Sequence, residues 1–155
     1  MARVNAGLHP KFLSDQHLIA EAVELTMIVN GFKANKWVIK GQIPKKFVLG
    51  TGHINFFKPR LIYLQRRLTD LNAEIKRRGF NVGNAINLPN LPQVERFCND
   101  WAPSILDTEI VRKRIVERLT TPLKAKSNFH KYMGKPIVNM NEFCNNILNA
   151  PLHNV

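Results

Sequence analysis

The sequence predicts an all-α protein, a single compact domain of three main helices joined by long loops. Three observations carry this reading. Three segments repeat apolar residues at intervals of three and four. Almost no segment alternates with period two, and Phe47 to Leu49 is the best weak strand. The chain has 155 residues, 45% of them hydrophobic, enough for one buried core.

The first helix is expected from Ser14 to Val29. Ser14 suits the N-cap, Asp15 the positive helix start, and Asn30-Gly31 reads as a stop. Leu18, Ala22, Leu25 and Val29 form its apolar stripe. His17, Glu21 and Glu24 recur at i, i+4 and i+7 and form a polar one. A lone helix-face glutamate is ordinarily solvated, and His17 with Glu21 reads equally as a surface pair. The second helix is expected from Pro59 to Arg78, with Gly79 just past its end. Leu61, Leu64, Leu68, Leu71 and Ile75 face the core, and Arg60, Arg66, Arg67, Lys76, Arg77 and Arg78 lie off that stripe. The third runs from Ser104 to Leu119, where Ser104 and Asp107 resemble a capping pair and Pro122 ends the segment. Residues 81–93 read as a loop. The Asn-rich tail after Gly134 holds a short helix near Asn141 to Leu148.

Charge narrows the function. Lys plus Arg number 23 against 11 acidic residues, for a formal net charge of +12. Such an excess favours a polyanionic partner, because each neutralised phosphate releases condensed counterions. Nucleic acid ranks first. An anionic membrane surface ranks well below, because no helix sets a Lys-rich face against a Trp/Phe face. Cys98 and Cys144 lack CxxC spacing, which argues against a disulfide framework or a zinc site and fits reduced thiols. The apolar run Leu18 to Val29 is interrupted by Glu21 and Glu24, so it is neither a signal peptide nor a span. A soluble intracellular protein is expected.

The basic residues fall into groups. Lys33, Lys36, Lys40, Lys45 and Lys46 surround Trp37. Arg112, Lys113, Arg114 and Arg118 lie on the third helix. Lys124, Lys126, Lys131 and Lys135 interleave with Phe129, His130 and Tyr132, as suits backbone tracking and base stacking. At the chain start, Ala2 is small, so removal of Met1 is expected to expose its α-amine. An α-amine has a pKa of about 7.7–8.0 and is partly unprotonated at neutral pH, and a free amine can attack a sugar C1′.

Four blocks in register resemble one family. They are Arg3-Val4-Asn5; Asp15-Gln16-His17-Leu18 with Ala20-Glu21 and Glu24-Leu25; Phe47-Val48-Leu49-Gly50-Thr51-Gly52-His53 through Phe56-Phe57 to Lys76-Arg77-Arg78-Gly79-Phe80-Asn81; and Phe129-His130-Lys131-Tyr132-Met133-Gly134-Lys135. Together they resemble the phage T4 endonuclease V family, the pyrimidine dimer DNA glycosylases. The match spans residues 1–138, leaving 139–155 as a C-terminal extension.

The resemblance implies a DNA-repair glycosylase with AP-lyase activity. Its N-terminal segment would thread to the active site, and the Ala2 amine would attack C1′ of a damaged pyrimidine nucleotide. An imine would form and β-elimination would nick the strand, assisted by Glu24. It implies Arg3, Gln16 and His17 lining the site, Arg118 as a basic contact, and Phe129, His130, Lys131, Tyr132, Gly134 and Lys135 against DNA. It implies no metal and no cofactor, a double-stranded DNA partner with a damaged or abasic site, no membrane, a monomer, and action in the cytoplasm of an infected host cell. The sequence also departs from the family. Ala2 replaces a threonine, Val23 and Met27 stand where the prototype has arginines, Pro122 replaces a lysine, and Phe129-His130 replaces a Trp-Tyr pair. These departures leave open a different damaged or modified base, or a non-catalytic nucleic-acid-binding protein on the same scaffold.

Overall fold

A computed structural model describes residues 3–121 and 130–153. The described chain is all-α apart from one two-stranded hairpin. In order it runs through a 3-10 turn at Pro10–Phe12, α1 (Asp15–Ala34), α2 (His53–Phe57), α3 (Leu61–Arg77), α4 (Pro92–Glu95), α5 (Ile105–Thr120), β1 (Lys131–Tyr132), β2 (Lys135–Pro136) and α6 (Met140–Leu148). α1 packs on α3, and α6 packs on α5.

The three long helices stand where the apolar stripes put them, with informative differences at their ends. Ser14 caps α1, its Oγ accepting from the His17 amide. α1 then continues past Asn30-Gly31 to Ala34 because Phe32 is fully buried and Trp37 packs edge-on against it at 5.1 Å. An interior glycine costs about 1 kcal/mol, whereas burying a phenylalanine contributes about 1.5–3 kcal/mol. The helix closes when the Trp37 amide donates to Phe32 O and the Lys36 amide to Lys33 O, with Lys36 left-handed at φ 56°. Trp37 is therefore a core residue and not a base-stacking surface among the lysines. α3 starts at Leu61, two residues after Pro59, and closes in the same way with Gly79 at φ 83°. α5 opens on a full capping box between Ser104 and Asp107.

Phe47 to Leu49 forms no strand. Phe47 is instead buried in an aromatic cluster, 5.9 Å from both Phe56 and Trp101. The hairpin lies at 131–136 and pairs Tyr132 with Lys135 across a turn of Met133 and Gly134, both at positive φ. The carboxylate of Asp15 accepts from both turn amides, at 2.9 Å from Met133 and 2.7 Å from Gly134. Asp15 thus ties the hairpin to the start of α1.

The chain start runs through the interior. Val4, Ala6 and Leu8 are fully buried. Gly7 presses so closely on α5 that a β-carbon there would meet Thr108 Oγ1 at 1.8 Å. From the other side the His153 amide donates to Gly7 O at 2.9 Å. The arm is clamped between α5 and the C-terminal segment, where Cys144, Ile147 and Ala150 are buried.

Two of the arginines that lie off the apolar stripe are also inside. Arg67 forks onto Glu21 at 2.7 and 2.9 Å and donates to Leu8 O at 2.6 Å. Arg78 reaches Glu74 at 2.7 Å, Asp15 at 2.9 Å and Leu13 O at 2.8 Å. Glu21 is 1% exposed, so it is no surface partner of His17.

Candidate active site

Three consecutive amides hold the chain start in register against side chains of α1 and α2. The Arg3 amide donates to Glu24 Oε2 at 2.8 Å. The Val4 amide donates to His53 Nε2 at 2.9 Å. The Asn5 amide donates to Glu21 Oε2 at 3.2 Å, and its side-chain amide to Glu21 Oε1 at 2.9 Å. His53 Nδ1 lies 2.8 Å from Val48 O, and a carbonyl only accepts, so the proton sits on Nδ1 and leaves Nε2 free to accept. The site needs a neutral His53, and burial lowers its pKa in that direction.

Glu24 stands at the mouth of a cleft between α1 and α5. His17, Glu21 and Glu24 line it from α1, Arg3 and Asn5 from the chain start, and Arg114 and Arg118 from α5. Its volume is about 30 Å³. Burial raises the Glu24 carboxyl pKa, and the hydrogen bond and charge of Arg3 pull it back. Burial, then His130 and the three arginines, lower His17 to about 4, so its imidazole is neutral at physiological pH. The larger cavity of about 380 Å³ bordered by Phe12, Tyr132, Ile137 and Phe143 holds no carboxylate. The small cleft, where shifted titratable groups converge, is the better candidate for chemistry.

The resemblance-derived residues divide into two groups. Arg3, His17, Glu24 and Arg118 meet in the cleft. Gln16, His130, Lys131, Tyr132, Gly134 and Lys135 lie at the start of α1 and on the hairpin. Gln16 Oε1 accepts from the Lys131 amide at 2.9 Å. The His130 ring lies 5.0 Å from that of His17, and its Nδ1 is 3.3 Å from Ser14 Oγ. Tyr132 lies under the Arg78 guanidinium at 4.2 Å and donates to Lys11 O at 2.8 Å. Lys135 is exposed. Ala2 and Phe129 lie outside the described residues, as does Pro122. Asn5, His53 and Arg114 are parts of the site that the sequence reading did not single out. Asn5 and His53 lie inside the blocks that carry the resemblance, and Arg114 lies one helical turn before Arg118.

Residues 1–88, more than half of the chain, match the family described as pyrimidine dimer DNA glycosylase. The chain belongs to that family. The family's activity is that of a DNA glycosylase on pyrimidine dimers, which makes DNA the substrate class. The matched segment contains the clamped chain start, all of α1 and the His53 anchor. It stops before α5, so Arg114 and Arg118 reach the cleft from outside the matched region. No helix among the described residues is long and apolar enough to cross a membrane.

Proposed function

We propose that the protein excises damaged pyrimidines and nicks the strand with the α-amine of Ala2 as nucleophile, once Met1 is removed. The amine attacks C1′, the N-glycosidic bond breaks, and the base leaves with its electron pair. Loss of the amine proton and opening of the C1′–O4′ bond give an iminium. Removal of a C2′ proton then breaks the C3′–O3′ bond by β-elimination. Glu24 is the carboxylate that stabilises the cationic sugar and iminium and receives a proton. Arg3, Gln16, His17 and Arg118, with the hairpin side chains His130, Lys131, Tyr132 and Lys135, and Phe129 and Gly134, form the DNA-contacting set. Double-stranded DNA with a damaged or abasic site is the partner, the protein acts as a monomer, and its compartment is the cytoplasm. The chemistry uses no metal or cofactor.

The observation that carries this reading is the 2.8 Å bond from the Arg3 amide to Glu24. The α-nitrogen of Ala2 is covalently confined to within about 4 Å of that amide nitrogen. Because Arg3 is bonded directly to Ala2, this hydrogen bond supports the pairing of the chain start with Glu24.

A second reading, a DNA-binding protein without catalysis, draws on Val23 and Met27. They are 41% and 57% exposed and place apolar side chains beside Glu24, where the resemblance implies cations. Borohydride trapping separates the two readings. On a duplex with one abasic site, processed protein gives a covalent band, which N-terminal acetylation abolishes and Glu24→Gln weakens. Binding without any band from processed protein would favour the second reading.

A further inference from the structure

Three guanidiniums converge beside Glu24, and among the described residues none has a carboxylate within ion-pair distance. Arg3 and Arg114 line the reaction cleft with Arg118. Arg114 is the most constrained of them. Its Nε is buried without a hydrogen-bond partner, and its Nη2 reaches only Asn5 Oδ1, at 3.4 Å. Burial first, and then repulsion from Arg3 and Arg118, lower its pKa to about 10. Arg3 is lowered by burial and by Arg118. A fold gains nothing from holding a half-buried Arg114 among the like charges of half-buried Arg3 and exposed Arg118. Such a cluster is explained by an anion that the protein binds.

The hollow next to the cleft fits that anion. Arg114 and Arg118 form a shared wall between the two, Glu117 and Thr121 complete the hollow, and its volume is about 260 Å³. The reaction cleft holds about 30 Å³, too little for a phosphate group. The roomier hollow is the place for the phosphate, and Arg114 and Arg118 border both spaces. Among the described residues Glu117 is the one carboxylate on the wall of the hollow, and it opposes the anion.

We propose that Arg114 is a phosphate-binding residue of this site, which with Arg118 grips one DNA phosphodiester in the hollow, while Arg3 stays on the cleft side, and so fixes the strand beside Glu24. This rests on the reading of the cleft as a DNA-processing site. It adds the means by which α5, beyond the family-matched region, supplies cations on the α5 side of the cleft.

The test compares wild-type, R114Q, R114K and E117Q proteins on a duplex carrying one tetrahydrofuran abasic analogue. Affinity is measured across salt concentrations, and borohydride trapping is measured separately on a true abasic duplex. One lost phosphate contact lowers the slope of log affinity against log salt by about one. R114Q is therefore expected to lose about threefold less affinity than wild type between about 50 and 200 mM salt, starting from weaker binding. R114K keeps the wild-type slope because it keeps the charge, and E117Q binds more tightly than wild type. A wild-type slope in R114Q, or an E117Q affinity no higher than wild type, overturns the proposal. Failure of the wild type to trap leaves these slopes readable and counts against the lyase chemistry alone.

Discussion

The arginines of the core and the arginines of the cleft have opposite surroundings. Arg67 and Arg78 are buried, and each is matched by carboxylates and backbone carbonyls within 2.9 Å. Among the described residues Arg3, Arg114 and Arg118 gather with no such match, and Arg114 keeps a buried Nε without a partner. A buried cation stripped of its counter-charge destabilises a fold unless something else supplies that charge. The first pair is therefore architecture: it bolts α1, α3 and the first turn of the chain together. The second group is held for a ligand. The net charge of +12 mixes the two, and only the partners of each side chain tell them apart.

The sharpest way to break this comparison is to remove a core cation. Arg67→Met leaves Glu21 buried with its main partner gone, and stability is expected to fall by about 3–5 kcal/mol in urea denaturation. Arg118→Met, on the same scale, is expected to change stability by less than about 0.5 kcal/mol while weakening DNA binding and lowering the salt slope by about one. Equal destabilisation by the two substitutions would erase the distinction. Adding cations sharpens it from the other side. Val23→Arg with Met27→Arg places two guanidiniums on the exposed face beside Glu24, and the salt slope of DNA binding is expected to steepen by about two.

The smallest expected effect is on pH dependence, where His17 and His53 take part. Burial lowers both pKa values, so the unfolded chain takes up their protons more readily than the folded one. The stability they contribute is complete above the unfolded value of 6.5 and is lost as pH falls toward the folded value, about 4 for His17. Melting temperature followed from pH 7 down to about 4 is expected to decline over that window. His53→Gln is expected to make the decline shallower. An unchanged pH profile in that variant would separate His53 from the clamp on the chain start.

Much of the fold was legible because helix periodicity and capping are local. Ser14, Ser104 with Asp107, and Gly79 act where the sequence places them. What was hidden depends on contacts far along the chain. The end of α1 is set by Phe32 and Trp37 in the core, and its left-handed closing residue is a lysine where glycine is the usual signal. Phe47 carries a strand-like pattern but is claimed by Trp101 and Phe56. In the site, Glu24, Arg3, His17 and Arg118 were reached through resemblance and do share one cleft. Glu21 and Arg67 looked like surface charges, because a helix face does not reveal which side chain 46 residues away will meet it. His53 was equally hidden, since its role is to accept one amide from a segment 49 residues earlier.

Peptide mapping identifies the nitrogen that reacts. Processed protein trapped by borohydride on a duplex with one pyrimidine dimer or one abasic site can be digested, and the peptide carrying the reduced sugar identified by mass spectrometry. The adduct is expected on the α-nitrogen of Ala2, with the Glu24→Gln protein giving less of it. An adduct on a lysine ε-nitrogen, or equal yield from N-terminally acetylated protein, would contradict the assignment of the chain start as the nucleophile.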